Sequence, residues 1–163
     1  MLDAFHTNGS SPPARRYRLK VATWTVVRES GQPSPRKLDG PPAVSELAID
    51  LSRSADDGRE HFWAVLLSAQ LGYLMHTEVS VGTLNASLVH SREVFGPALR
   101  EGAASLVLNH NHPSGDPTPC QEDIRLTRQL AEAGRLLDVP VHDHLIVGNG
   151  TTAYVSFAER GLL

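Results

Sequence analysis

Two histidines separated by one residue, His110-Asn111-His112, are followed after ten residues by Asp123. On an extended chain, side chains repeat their direction every two residues, so both imidazoles point the same way and form a clamp. The intervening loop returns the chain to a helix whose first turns present Asp123, a hard oxygen ligand. Two neutral imidazoles and one carboxylate make the ligand set of a catalytic zinc site, with the fourth tetrahedral position left for water. Zn²⁺ is therefore the expected metal, ahead of Fe²⁺ or Mn²⁺.

Such a site also needs a base, because zinc lowers the pKa of water toward about 7 without taking the proton away. Glu60 is the candidate: it opens the apolar run Glu60–Leu67, where an ionisable side chain borders a buried sheet and can lean over the metal. On position alone it fits a solvated glutamate at a strand start better.

The elements that must position these groups can be read from pattern and punctuation. Residues 103–109 (AASLVLN) form an apolar run of strand length that delivers His110 at its end. Thr118-Pro119-Cys120-Gln121 reads as a helix start, with Thr118 as N-cap, Pro119 at the first helical position and Gln121 at the capping-box position. That helix is expected to run to about Leu137 and to bury Leu126, Leu130, Ala133 and Leu137.

Upstream, Val44, Leu47, Ala48 and Leu51 share one helical face after Pro41-Pro42, and the helix should stop between Ser52 and Gly58. Glu60–Leu67 reads as a strand buried on both faces, followed by a second strand through Tyr73 to Val81 and a connector from Gly82 to His90. Ser91–Glu101 reads as a helix with Ser91 as N-cap, in which Pro97 predicts a kink or break. Strands at 139–147 and 152–155 are joined through Gly148-Asn149-Gly150. Residues 1–16 read as a disordered lead-in and 17–40 as an N-terminal strand plus linker, leaving 41–163 as the folded domain.

Composition narrows the class. The 163 residues are 40% apolar and 20% charged with a net charge of −3, as expected of one ordinary globular domain without a global footprint for nucleic acid or anionic membrane. Cys120 is the single cysteine, so no internal disulfide is possible and a reducing compartment is expected. The Arg15-Arg16 pair and the cluster continuing to Arg18 and Lys20 precede too short an apolar stretch for a signal peptide. No run approaches the roughly 20 apolar residues of a membrane span. A cytoplasmic protein without membrane association is the expectation.

The string LNHNHPSGDPTP, with SREVFGPAL before it and DHLIVG and YVSFAERGLL after it, resembles the RadC-like branch of the JAB/MPN (JAMM) metalloproteins over residues 41–163. The resemblance implies a cytidine-deaminase-like α/β fold, a mixed, curved sheet flanked by helices. It places the family's metal ligands on His110, His112 and Asp123 and its catalytic glutamate on Glu60, which implies hydrolysis of a peptide or isopeptide bond by metal-activated water. It also implies an extended peptide or ubiquitin-like tail as substrate. The forty residues before Pro41 are too few and too strand-like for the helix-hairpin-helix region of longer relatives, so a stand-alone form is expected.

One position departs from the pattern. The family commonly carries Ser three residues before the metal aspartate, where its hydroxyl helps to stabilise an oxyanion; here Cys120 stands there. It is one helical turn from Asp123 and should face the site. A thiol is a weaker donor, and losing a good oxyanion donor costs about 10²-fold or more in rate. A thiolate acting as an extra ligand or redox handle, and a simply tolerated substitution, are the alternatives.

Among the other residues, Ser114-Gly115-Asp116 reads as turn chemistry. Asp143-His144 matches the branch pattern, with internal hydrogen bonding or orientation of a ligand imidazole as its possible jobs. His61, His76, His90 and His142 lack ligand spacing, and Trp24 and Trp63 read as core. Besides the hydrolase, two other functions are expected: a DNA-repair-associated accessory protein, which the RadC-like resemblance implies and for which Arg15–Lys20 offers only a weak phosphate contact, and a metal- or partner-binding module weakened by Cys120.

Overall fold

A computed structural model describes residues 36–55, 57–82 and 89–163. The lead-in, the strand expected at 17–29 with Trp24, the Arg15–Lys20 cluster and most of the connector 82–90 lie outside the described residues.

Helix α1 (Pro41–Ser54) opens with proline in its first turn, where a missing N–H costs nothing. It is followed by β1 (His61–Leu67) and β2 (Tyr73–Val81), then α2 (Ser91–Glu101), β3 (Ser105–His112), α3 (Gln121–Leu136), β4 (Val141–Gly148) and β5 (Tyr154–Ser156). The five strands form one mixed sheet in the order β2-β1-β3-β4-β5. Only β3 and β4 run parallel, joined by the α3 crossover; the other neighbours are antiparallel.

Strand β1 is buried along its whole length, because it lies between β2 and β3 and is covered on both faces. Val44, Ala48 and Leu51 of α1 pack on one face against Trp63, Val65, Val107 and Leu145. On the other face, Val94, Phe95 and Ala98 of α2 and Leu126 and Leu130 of α3 pack against Phe62, Leu66, Leu106 and Leu108. Each such side chain contributes about 1.5–3 kcal/mol by leaving water. The expected mixed α/β architecture with helices on both faces is thus observed. Among the described residues no helix is long and apolar enough to cross a membrane.

Several local expectations are corrected. The N-cap of α2 is His90, whose carbonyl accepts from Glu93 and Val94, and Ser91 is the first helical residue. The helix continues through Pro97. The carbonyl that loses its partner belongs to Glu93, which is exposed to water, while buried Val94, Phe95 and Ala98 anchor the helix on both sides of the proline. Helix α3 starts at Gln121, with Cys120 rather than Thr118 as N-cap. Thr118 is engaged elsewhere, its N–H and hydroxyl both donating to Asp116 Oδ1 at 2.9 and 2.6 Å. The buried face of α3 runs through Asp123, Leu126, Thr127, Leu130 and Gly134, so Leu137 at the C-cap is exposed. A Cβ on Gly134 would sit 2.6 Å from the Val139 carbonyl and 3.2 Å from the Phe95 ring; glycine lets α3 end that close to its neighbours.

Candidate metal centre

Strand β3 runs three residues beyond the apolar segment, so His110 and His112 are still in extended conformation and share one face. Their Nε2 atoms lie 3.0 Å apart. Asp123 comes from the first turn of α3, where the positive end of the helix favours a carboxylate. Its oxygens lie 3.4 Å from His110 Nε2 and 3.6 Å from His112 Nε2. One ligand atom from each residue falls within 4.8 Å of the others, a group that could hold a metal ion.

The hydrogen bonds around this group determine where its protons sit. Thr127 Oγ1 lies 2.6 Å from the Asp123 carbonyl, which can only accept, so the single hydroxyl hydrogen goes there. His144 Nδ1, 2.6 Å from the same Oγ1, must then be the donor. Burial pushes the His144 pKa down to about 3, so the ring is neutral and its Nε2 is bare. That nitrogen, 2.8 Å from His110 Nδ1, accepts the His110 proton. Burial also drives His110 well below the ordinary histidine value, so His110 Nε2 is bare as well. His112 donates through Nδ1 to the Asp116 carbonyl at 2.8 Å, which leaves its Nε2 lone pair aimed at the same point.

Two lone pairs and a carboxylate thus converge without a hydrogen between them, an arrangement that favours a cation. In the metal-free protein a proton is the available one: the Asp123 carboxylate raises the His112 pKa against the opposing effect of burial. Burial alone would raise the Asp123 carboxyl, but His112, His110 and the Cys120 N–H outweigh it and hold the group well below the usual carboxylate range. The donor set, two imidazoles and a carboxylate with the outer nitrogens anchored, fits a divalent zinc-like ion.

The sequence profile of the RadC-like JAB domain matches residues 39–162, which include all three converging groups and both layers of the core. The chain belongs to this family. It is 51% identical to a UPF0758 protein of Pelobacter propionicus over 108 residues, 66% of this chain and 46% of that one. A UPF0758 protein of Moorella thermoacetica is 50% identical over 149 residues, covering 91% of this chain and 58% of its own length. One from Desulforamulus reducens is 40% identical over 153 residues, 93% and 66%. The matched part of the RadC-like chain therefore spans about half to two thirds of these curated relatives.

In this RadC-like domain the converging ligands lie at the edge of an open cleft of about 630 Å³, lined by Glu60, His112, Ser114, Cys120 and Asp123 among others. Glu60 lies one residue before β1, its carbonyl accepting from Gly82 N–H at 2.8 Å. Cys120 completes a capping box: its N–H donates to Asp123 Oδ2 at 2.7 Å and its Sγ accepts from Asp123 N–H at 3.5 Å. Burial pushes its thiol pKa up, and Sγ is not among the converging atoms of the described residues, so the geometry gives the thiolate-ligand alternative no support.

The Asp143-His144 pair divides its labour. His144 orients His110, whereas Asp143 accepts from the His144 N–H at 2.7 Å, and from Ser156 Oγ at 2.6 Å and Ala158 N–H at 2.9 Å, the last two tying β4 to the end of β5 and the chain after it. His61 is a buried bridge between Asp57 and Glu78, and His76 pairs with Tyr73 at the surface. Trp63 is in the core, stacked on His61.

Sequence reasoning missed Thr127 and, although it expected the turn at Gly148-Asn149-Gly150, missed what that turn does for the site. Thr127 is four residues after Asp123 on the same helical face, a spacing that could have flagged it. The role of the turn leaves no such trace: Asn149 N–H donates to the His112 carbonyl at 3.0 Å, and a Cβ on Gly148 would sit 2.1 Å from the Gly115 carbonyl oxygen.

Proposed function

We propose that this RadC-like domain is a zinc-dependent hydrolase of peptide or isopeptide bonds, with His110, His112 and Asp123 as metal ligands and Glu60 as general base. The observation that carries the reading is the pair of bare Nε2 atoms 3.0 Å apart beside the Asp123 carboxylate, at a cleft that Glu60 also lines. Zinc bound there supplies Lewis-acid chemistry, acidifying water and polarising a carbonyl. The Glu60 carboxylate takes one proton from the attacking water and delivers it to the leaving amine nitrogen, so that water and amide become acid and amine. We assign the Cys120 S–H, which lines the same cleft, as donor to the developing oxyanion, a contribution weaker from a thiol than from a hydroxyl. An extended peptide, including a ubiquitin-like tail, is the substrate class that suits an open cleft of this kind.

Two measurements test the reading together: elemental analysis, and ¹⁸O uptake from labelled water into new C-termini of a proteome-derived peptide pool. About one zinc per chain is expected in wild type and Glu60→Gln and none in His112→Ala, with ¹⁸O uptake slowed at least about 10²-fold in Glu60→Gln and abolished in His112→Ala. Wild type purified without any transition metal, or Glu60→Gln that labels peptides as fast as wild type, would refute it.

A further inference from the structure

Resting on that reading, we propose that Asn111, between the two metal-facing histidines, is the positioning residue for Glu60. Strands β1 and β3 pair along their backbones from Leu67↔Ser105 to Phe62↔His110, and there the ladder ends. One residue further on, the Asn111 side chain takes over. Its Oδ1 accepts from the His61 N–H at 2.6 Å, and its Nδ2 donates to the Arg59 carbonyl at 2.9 Å. A primary amide has the donor and acceptor of a peptide group, so it grips the backbone on both sides of Glu60 as a strand would.

The second Nδ2 hydrogen goes to Asn149 Oδ1 at 2.9 Å, and Asn149 N–H holds the His112 carbonyl. One amide therefore ties the Glu60 arm to the turn that braces a metal ligand. Asn111 is fully buried, so water cannot replace these bonds. The main-chain N–H and C=O of a strand residue are committed to its neighbours; a side-chain amide reaches across where the strands part, which is where the cleft opens.

Replacing Asn111 by Asp keeps the size but removes both donors and sets a carboxylate against two acceptor oxygens, those of Arg59 and Asn149. Asn111→Ala removes all three bonds, and Asn149→Ala removes only the bond to the turn, as a gentler variant should the others fold poorly. The zinc-loaded full chain is assayed for metal content, amide exchange at His61 and Gly82, and ¹⁸O labelling of the peptide pool.

In Asn111→Ala, which takes the acceptor away from the His61 N–H, the zinc content should be unchanged while His61 and Gly82 exchange at least about tenfold faster than in wild type. The kcat should fall about 10²-fold at constant KM, since a displacement of about 1 Å suffices for that. The double variant with Glu60→Gln should be no slower than Glu60→Gln alone. Loss of zinc along with activity, rate losses that multiply in the double variant, or unaltered exchange at His61 would each overturn the assignment. Should the wild type cleave nothing, the hydrolase reading fails, and exchange at His61 and Gly82 with zinc retained still decides whether Asn111 holds the arm.

Discussion

Removing the Thr127 hydroxyl tests the proton order around the metal ligands. Thr127→Val keeps the shape of the side chain while deleting the one group that both receives the His144 Nδ1 proton and donates to the Asp123 carbonyl. His144 is completely buried, so its Nδ1–H is either left unpaired, at a cost of about 1–3 kcal/mol, or lost through a change of tautomer. The second outcome puts the proton on His144 Nε2, which then donates to His110 Nδ1 and moves the His110 proton onto Nε2, where it opposes a cation. Both routes penalise the metal-binding state. Loss of such an outer partner weakens metal binding by about 10- to 100-fold, which converts to about 1.4–2.8 kcal/mol. Competition with a chromophoric zinc chelator measures this directly, with Thr127→Ser as the variant that restores the hydroxyl and the affinity. Zinc binding by Thr127→Val within about twofold of wild type would refute the proton order, because the relay would then contribute none of the expected effect.

Two further outcomes are expected. Gly148→Ala places a Cβ 2.1 Å from the Gly115 carbonyl oxygen and 2.7 Å from its carbon, both backbone atoms of the loop between the ligands, so that loop must shift. A loss of about 1–3 kcal/mol in urea denaturation is expected, and an unchanged midpoint would show that the loop yields freely. In the metal-free protein the His61 bridge should also contribute less stability as pH rises past neutrality. Burial opposes the charge on His61, but the carboxylates of Asp57 and Glu78 outweigh it and raise the pKa above the ordinary 6.5. The folded state then binds the proton more tightly than the unfolded chain. The contribution is fully present below the unfolded value and lost as pH climbs through the raised one. His112 acts in the same direction, so the difference between wild type and His61→Gln across pH 6 to 8.5 isolates the bridge; parallel curves would contradict it.

What the sequence determined by itself was which three side chains could converge and on which side of the strand the two imidazoles lie. Alternation along a strand puts His110 and His112 on one side whatever the rest of the fold does, and a carboxylate near a helix start is a local preference. The buried strand β1, the amphipathic α1 and the turn at Gly148–Gly150 were legible for the same reason: each is written in the period of a single element.

Only the tertiary structure decided which competitor wins where several local signals overlap. Thr118, Cys120 and Asp123 could all take part in capping α3; the loop turned Thr118 toward Asp116, and the box closed on Cys120 and Asp123. Ser91 had a capping side chain, yet the α2 N-cap position went to His90. Nor could the sequence show that His144, Thr127 and Asn111 serve the site. Their partners lie 34, 17 and about 50 residues away along the chain, brought together by the β3–α3–β4 crossover and the β1–β3 pairing. Short-range geometry set the directions of the converging groups; long-range packing brought them together and supplied their hydrogen-bond partners.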